Sequence, residues 1–461
     1  MWLWSSTLRG GAPSSGSMQS TSITVPLAKL ATRSCLGPDL ERLRGRCTIL
    51  SVDDQLTAAM ALVEMDGVAR RVVLCTPDLA AEYMPQVIRE SEADAVVGEL
   101  PTDPAIRQDI GISVRPAATL CYEIRARLQS HDTEWVLLTS GTTGAPKLVL
   151  HTLASLTSAF ADAPLERGAV VWSTFYDIRR YGGLQIFLRA LRAGSIVLSS
   201  QSESVDEFLI RAGRSGVTHI SGTASHWRRV LMSGVASSMT PRYIRLSGEI
   251  ADQSVLDGLH GAFPDTEIVH AFASTEAGVA FEVADRKAGF PASLLSAPIA
   301  NVELKIEDST LRVRSPGNAL CYLGASAPAI RATDGFVDTG DRVELTDGRY
   351  SFVGRNGGVI NVGGLKVYPE EVEAVINSHP WVRMSRVMAR RNAITGAVVT
   401  AEVVLLTEEG SRGQRPDQER LRRQIVERCA NAMPSYKVPA LIRIVDSLEI
   451  SAAGKLVRND A

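Results

Sequence analysis

The chain is 461 residues long, with 45% hydrophobic residues, 22% charged residues and a net charge of −2 at pH 7. That length allows two or three domains and a large core, and that balance describes a globular protein rather than a disordered or fibrous one. Near-neutral charge removes the electrostatic case for nucleic acid or an anionic membrane, and no apolar run approaches the roughly 20 residues of a membrane span, so a cytoplasmic location is expected.

Residues 1–21 are rich in Gly and Ser and lack the apolar centre of a secretory signal. They are expected to form a disordered leader, with Met18 as a candidate initiator. From Cys47 onward the pattern alternates apolar runs with helical periods. Strands are predicted at 47–52, 71–75 and 93–97, with helices at 53–66, capped by Asp53 or Asp54, and at 77–92. Such alternation predicts a parallel, doubly wound sheet in an α/β fold.

An apolar run, Val136 to Leu138, then leads into Thr139, Ser140, Gly141, Thr142, Thr143 and Gly144, closed by Pro146 and Lys147. Glycines let backbone N–H groups come close to an anion, hydroxyls add donors, and Lys147 adds a mobile positive charge. The loop suits a nucleotide polyphosphate, although its composition is also that of an ordinary turn. Its spacing is not that of the GxxxxGK[ST] loop.

Further strands are predicted at 170–172, 195–198, 217–220, 243–246 and 267–270, the last entering the loop 271–278. Beyond Pro291 the segments become short and β-like, which predicts a small barrel or antiparallel sheet on the α/β core. Gly354–Gly358 interrupts them and reads as a linker into a small α+β module. Its predicted helices cover 369–378 and 416–433, with strands from 359, 387, 398 and 441. The expected organisation is a leader (1–21), an N-terminal core (22–354) and a C-terminal domain (355–461). The six cysteines form no CxxC pair and the seven histidines no paired-ligand spacing, which argues against a disulfide framework or structural zinc.

Five ordered segments carry a resemblance: 139–147, Ala273–Gly278, Asp338–Asp341, 354–373, and Gly454 with Lys455. Together they resemble the adenylate-forming superfamily of acyl- and aryl-CoA synthetases, luciferases and peptide-synthetase adenylation domains. The resemblance spans about residue 45 to the end. It implies a large core of doubly wound sheets with a small barrel, and a mobile C-terminal domain. The implied reaction activates a carboxylic acid with ATP as an acyl adenylate, releases pyrophosphate, and passes the acyl group to a thiol. ATP, Mg²⁺ and coenzyme A, or a carrier protein's phosphopantetheine, are the implied small-molecule partners. A monomer or homodimer without nucleic acid or membrane is the implied assembly.

The resemblance also implies residue roles. Residues Thr139 to Gly144 and Lys147 hold phosphates, Thr275 holds the α-phosphate, and Glu276 binds Mg²⁺. Ala273 and Ser274 belong to the same loop. Asp341 and Arg355 hold the ribose, Ser247, Gly248 and Glu249 lie along adenine, and Phe272 stacks on it. Lys455 bridges the carboxylate and the α-phosphate. After adenylation the small domain rotates about a hinge, withdrawing Lys455 and bringing Gly363, Gly364 and Lys366 to line a thiol channel. The hinge position is Gly357, followed by Gly358, where the family usually has Asp or Lys; two glycines loosen the hinge rather than disable it. The N-terminal part is short for the family.

The acid region differs too. Arg180 falls near a position usually held by His, with Tyr181 and Gly182 beside it. One arginine of the Arg179–Arg180 pair could simply neutralise Asp177; alternatively Arg180 orients an acid with a polar or second anionic group. Ser221, Gly222 and Thr223 are expected to form another pocket wall. Loading of a carrier protein, or a catalytically silent nucleotide-binding relative, are the competing readings.

Overall fold

The computed structural model describes residues 16–101, 110–124, 130–139, 145–161, 163, 168–296, 301–392, 395–406, 417–451 and 453–457. Two large sheets form the N-terminal core. One has seven strands in the order Cys321–Tyr322, Lys147–Thr152, Glu134–Thr139, Arg71–Leu74, Cys47–Ser51, Ala95–Gly98 and Ile112–Val114. Its central strands are parallel and its Lys147 edge is antiparallel. Val- and Leu-rich runs such as Arg71–Leu74 are buried throughout, as strands covered on both faces must be. The Gln55–Met65 helix starts at Asp54, whose carboxylate accepts the Thr57 N–H.

The second sheet has eight strands, with Val171–Thr174, Ser195–Leu198, His219–Gly222, Tyr243–Ser247 and Glu267–Ser274 in parallel pairing and Gly278–Val283 antiparallel at one edge. Its faces are sorted by alternation. Ile220, Ile244, Leu246 and Ile268 pack in one apolar cluster with Phe208, Trp227 and Leu256. The opposite face receives the Tyr181–Ala193 helix.

This sheet corrects the leader expectation. Ser17–Gln19 pairs in parallel with Ser195–Leu198, and Met18 is fully buried. An apolar side chain with that partner cannot belong to a disordered tail; residues 1–15 lie outside the described part of the chain.

The expected small β unit is a five-stranded antiparallel sheet built from Phe290–Pro291, Glu303–Glu307, Thr310–Arg314, Val337–Thr346 and Arg349–Arg355. The C-terminal module follows, with its own core around Val372, Val387, Val403, Leu421 and Ile425. It holds an Ile360–Val362/Leu365–Val367 hairpin, helices Pro369–Asn377 and Gln418–Ala432, and a three-stranded sheet, Val382–Asn392, Gly396–Leu405 and Leu441–Ile444. No described helix is long and apolar enough to cross a membrane.

Candidate active site

The Glu134–Thr139 and Lys147–Thr152 strands pair antiparallel, with Thr139 opposite Lys147. They hold the two ends of the hydroxyl-rich loop; its residues Ser140, Gly141, Thr142, Thr143 and Gly144 lie outside the described residues. The Lys147 ammonium sits 5.2 Å from the centre of the Tyr322 ring. The Tyr322 hydroxyl donates to Glu276 Oε1 at 3.0 Å. Burial, reinforced by that carboxylate, holds the phenol proton more tightly than usual. A mobile cation and a carboxylate therefore share one wall.

The loop carrying Glu276 is fixed from both sides. A β-bulge between Phe272 and Ala273 re-aims the chain as it leaves the strand. Ser274 Oγ accepts the Ala277 N–H at 2.9 Å. His151 Nε2 lies 2.7 Å from the Thr275 carbonyl, and its Nδ1 lies 2.9 Å from Ser155 Oγ. A carbonyl only accepts, so Nε2 carries the proton. Burial pulls the His151 pKa down to about 4, which keeps the ring neutral at pH 7. His151 and Tyr322 were not picked out by the sequence reading. A lone histidine four residues past Lys147 and a tyrosine on a two-residue strand carry no local signature.

Asp341 and Arg355 occupy paired positions on neighbouring strands, with Arg355 Nε 3.1 Å from Asp341 Oδ1. Arg355 also donates to the Thr339 carbonyl at 2.9 Å. Burial raises the Asp341 pKa, while Arg355 and then Lys455 oppose that shift. The two residues expected to hold a ribose are thus joined in one ion pair.

Lys455 is brought into the same region, although it belongs to the C-terminal module. Lys455 is an exposed residue, and Glu249, Asp341, Arg355 and Arg180 are the charged groups that act on its ammonium. Desolvation lowers its pKa; Glu249 and Asp341 counter this, and Arg355 and Arg180 add to it. The loop around it is clamped. Thr223 Oγ1 donates to the Gly454 carbonyl at 2.7 Å, and Glu249 Oε1 accepts the Leu456 N–H at 3.2 Å. Glu249 also takes the Ser225 N–H at 2.8 Å. Gly454 has φ +72°, and a Cβ there would lie 1.8 Å from His226 Cε1. Only glycine fits. His226 itself stacks on Phe175 at 5.0 Å, and desolvation takes its pKa down to about 3.

Several of the expected residues also carry structural contacts. Thr223 caps the Ala224–Val230 helix, and its hydroxyl donates to the Gly454 carbonyl. Gly222 lies under Phe175, where a Cβ would meet the ring at 2.7 Å. Ser247 is tied by its carbonyl to the Tyr176 hydroxyl at 2.6 Å, and a Cβ on Gly248 would approach Lys455 Cε at 3.8 Å. Phe272 stacks with Phe352 at 5.3 Å and Phe281 at 5.7 Å, so its first task is packing between sheets. Tyr181 is buried, with its ring 5.7 Å from that of His151. Gly182 lets the start of its helix approach the Tyr176 ring. The arginine that neutralises Asp177 is Arg179, fully buried with a 2.6 Å contact. Arg180 instead pairs with Asp78, and its buried Nε has no hydrogen-bond partner among the described residues.

Gly363, Gly364 and Lys366 are not part of this gathering. Gly363 donates to the Thr395 carbonyl within the C-terminal module, and Lys366 is exposed. Gly357 is exposed, and a Cβ on Gly358 would meet nothing.

A family model described as AMP-binding enzyme matches residues 52–325, and one described as AMP-binding enzyme C-terminal domain matches 371–455. The 2-succinylbenzoate–CoA ligase of Geobacillus kaustophilus is 31% identical over 350 residues, covering 70% of this chain and 68% of that protein. The ligase of the same name from Bacillus subtilis is 27% identical over 356 residues, covering 73% and 70%. In fold, the chain is similar to the anthranilate CoA ligase AuaEII in complex with anthranoyl-AMP, with a TM-score of 0.78, 19% identity and coverage of 98% and 94%. The chain belongs to the AMP-binding, adenylate-forming enzyme family.

Proposed function

We propose that the chain is an ATP-dependent acid–thiol ligase that converts a carboxylic acid of aryl or medium acyl size to its adenylate and then to its coenzyme A thioester. The observation that carries this reading is the docking of Lys455 beside Asp341, Arg355 and Glu249, held by Thr223 and Gly454. An ammonium placed there can neutralise charge building between the attacking carboxylate and the α-phosphate. Asp341 and Arg355 would hold the ribose, and Thr275 the α-phosphate. Lys147 would stay with the leaving pyrophosphate, and Arg180 would add positive potential at the reacting end.

Among the described residues no three His, Cys, Asp or Glu side chains gather as a metal cage. Glu276, which like Lys147 contacts Tyr322, fits Mg²⁺ brought with the nucleotide, since this ion is commonly held by one or two carboxylates plus substrate phosphates. Bound there, it would supply charge neutralisation on the polyphosphate. The thiol step would follow rotation about Gly357, with Gly363, Gly364 and Lys366 lining the approach of coenzyme A. The domains on this reading are residues 22–354 and 355–461, with the first extended back to the Ser17–Gln19 strand.

The test is acid-dependent pyrophosphate release across aryl, fatty and dicarboxylic acids, including anthranilate and 2-succinylbenzoate, with and without coenzyme A. Release that depends on one acid class and rises with coenzyme A is expected. Acid-dependent release that responds only to an isolated carrier protein would reassign the acceptor. No release with any acid would remove the ligase reading.

A further inference from the structure

Arg245 is a guanidinium buried to 2% exposure in the middle of the Tyr243–Ser247 strand. Its Nε reaches Glu282 Oε1 at 3.0 Å and its Nη1 reaches Ser247 Oγ at 3.3 Å, but Nη2 has no partner among the described residues. Glu282 holds the Nε side of the guanidinium, and the same carboxylate oxygen also faces Arg189 at 3.7 Å. Two guanidinium groups thus share one carboxylate, and that carboxylate lies toward solvent while Arg245 lies inside. Leaving a buried guanidinium N–H without a hydrogen-bond partner is costly, so Nη2 has an unmet demand for an acceptor.

Ser221 shows where that acceptor belongs. It is opposite Arg245 in the parallel register of the two neighbouring strands, so both side chains leave the sheet on one face. That is the face covered by the Tyr181–Ala193 helix, since the alternate positions Ile220, Ile244 and Leu246 fill the other core. Ser221 is completely buried, and its Oγ also has no partner among the described residues. Two orphaned donors on adjacent strands, separated by about one strand spacing, match the two oxygens of a carboxylate. The strand carrying Arg245 ends at Ser247 and Gly248, beside the Lys455 side chain. The orphaned pair therefore lies deeper along the same strand than the reacting end.

Building on the ligase reading, we propose that Arg245 and Ser221 form the far subsite of the acid pocket and select an acid bearing a second carboxylate. The first carboxylate meets Lys455, and the second fills the Arg245–Ser221 position.

The test compares matched acids, hexanoate with adipate and benzoate with isophthalate, in steady-state pyrophosphate release. Wild-type protein should favour the diacid of at least one pair by at least about tenfold in kcat/KM. Arg245→Met should erase that preference by raising KM for the diacid, with the monoacid changing less than about threefold. Ser221→Ala, which removes an orphaned hydroxyl without adding bulk, should weaken the diacid by about threefold to tenfold and keeps the test open if Arg245→Met does not fold. A wild-type preference for both monoacids would overturn the proposal, as would parallel losses on both members of each pair in either variant. Release with monoacids alone defeats only this subsite, whereas no release with any acid defeats the ligase reading beneath it.

Discussion

The Lys455 ammonium sits among charges of both signs: Glu249 and Asp341 favour its cation, while Arg355 and Arg180 oppose it. The working form is the cation, and the surroundings make that cation easier to lose than that of an ordinary lysine. Lys455→Ala is expected to reduce acid-dependent ATP–pyrophosphate exchange by about a hundredfold or more, the range seen when one transition-state donor is removed. Transfer from a supplied acyl adenylate to coenzyme A should persist, because the proposed mechanism gives this lysine no part in thiol attack. The same environment fixes the sign of the pH response. Raising pH strips the proton, so exchange should fall on the alkaline side through an apparent pKa below the ordinary lysine value. Lys455→Arg should move that limb upward, since a guanidinium stays charged. An unchanged alkaline limb in the arginine variant would show that another group controls it.

At the scale of elements, the start of one helix and one loop hold Lys455 in its place against the N-terminal core. The Ala224–Val230 helix begins at Thr223, which spends its hydroxyl proton on Gly454, and Glu249 ties the start of that helix to Leu456. Gly454→Ala would place a methyl group in the His226 ring and strain a backbone at φ +72°. The expected result is loss of exchange comparable to that of Lys455→Ala, with the thermal midpoint shifted by only a few degrees because the clash is relieved by undocking. Wild-type exchange in that variant would show that the clamp is dispensable. The sequence made the parallel strands legible, since runs such as Arg71–Leu74 can only be buried on both faces. It also made Lys147, Thr275, Glu276, Asp341, Arg355 and Lys455 legible through ordered motifs. It hid His151, Tyr322, His226 and the orphaned Arg245–Ser221 pair, because their roles arise from pairing between strands distant in sequence. Arg179 and Arg180 were ambiguous for a related reason: two adjacent cations compete for Asp177, and only the path of the chain into the helix at Tyr181 decides between them.

Across the whole molecule, the buried neutral histidines couple stability to pH. The folded-state pKa is about 4 for His151 and about 3 for His226, both depressed from 6.5 by burial. Below 6.5 the unfolded chain takes up protons that the folded chain refuses, so unfolding becomes easier as pH falls. Each histidine contributes a slope of up to about 1.4 kcal/mol per pH unit, which ends for His151 near its folded pKa. Denaturant unfolding at pH 7.5 and pH 5 should show this loss, and His151→Asn should make the slope shallower.

Domain alternation sets the last expectation. Gly363, Gly364 and Lys366 lie apart from the site, so the proposed thiol step would require the C-terminal module to turn about the segment after Arg355. Gly357 is exposed there, and Gly358 has open space around it, so neither glycine is required by packing. Their use is backbone freedom, and proline removes most of it by fixing φ. Gly357→Pro should therefore leave ATP–pyrophosphate exchange within about threefold of wild type, since the docked state already exists. Thioester formation should fall by at least about tenfold, because the second arrangement has to be reached through the stiffened turn. Acyl adenylate should accumulate on the protein and be recoverable after acid quench. Equal losses in both half-reactions would mean that the proline disturbs docking itself, and no loss in either would place the pivot elsewhere in the linker.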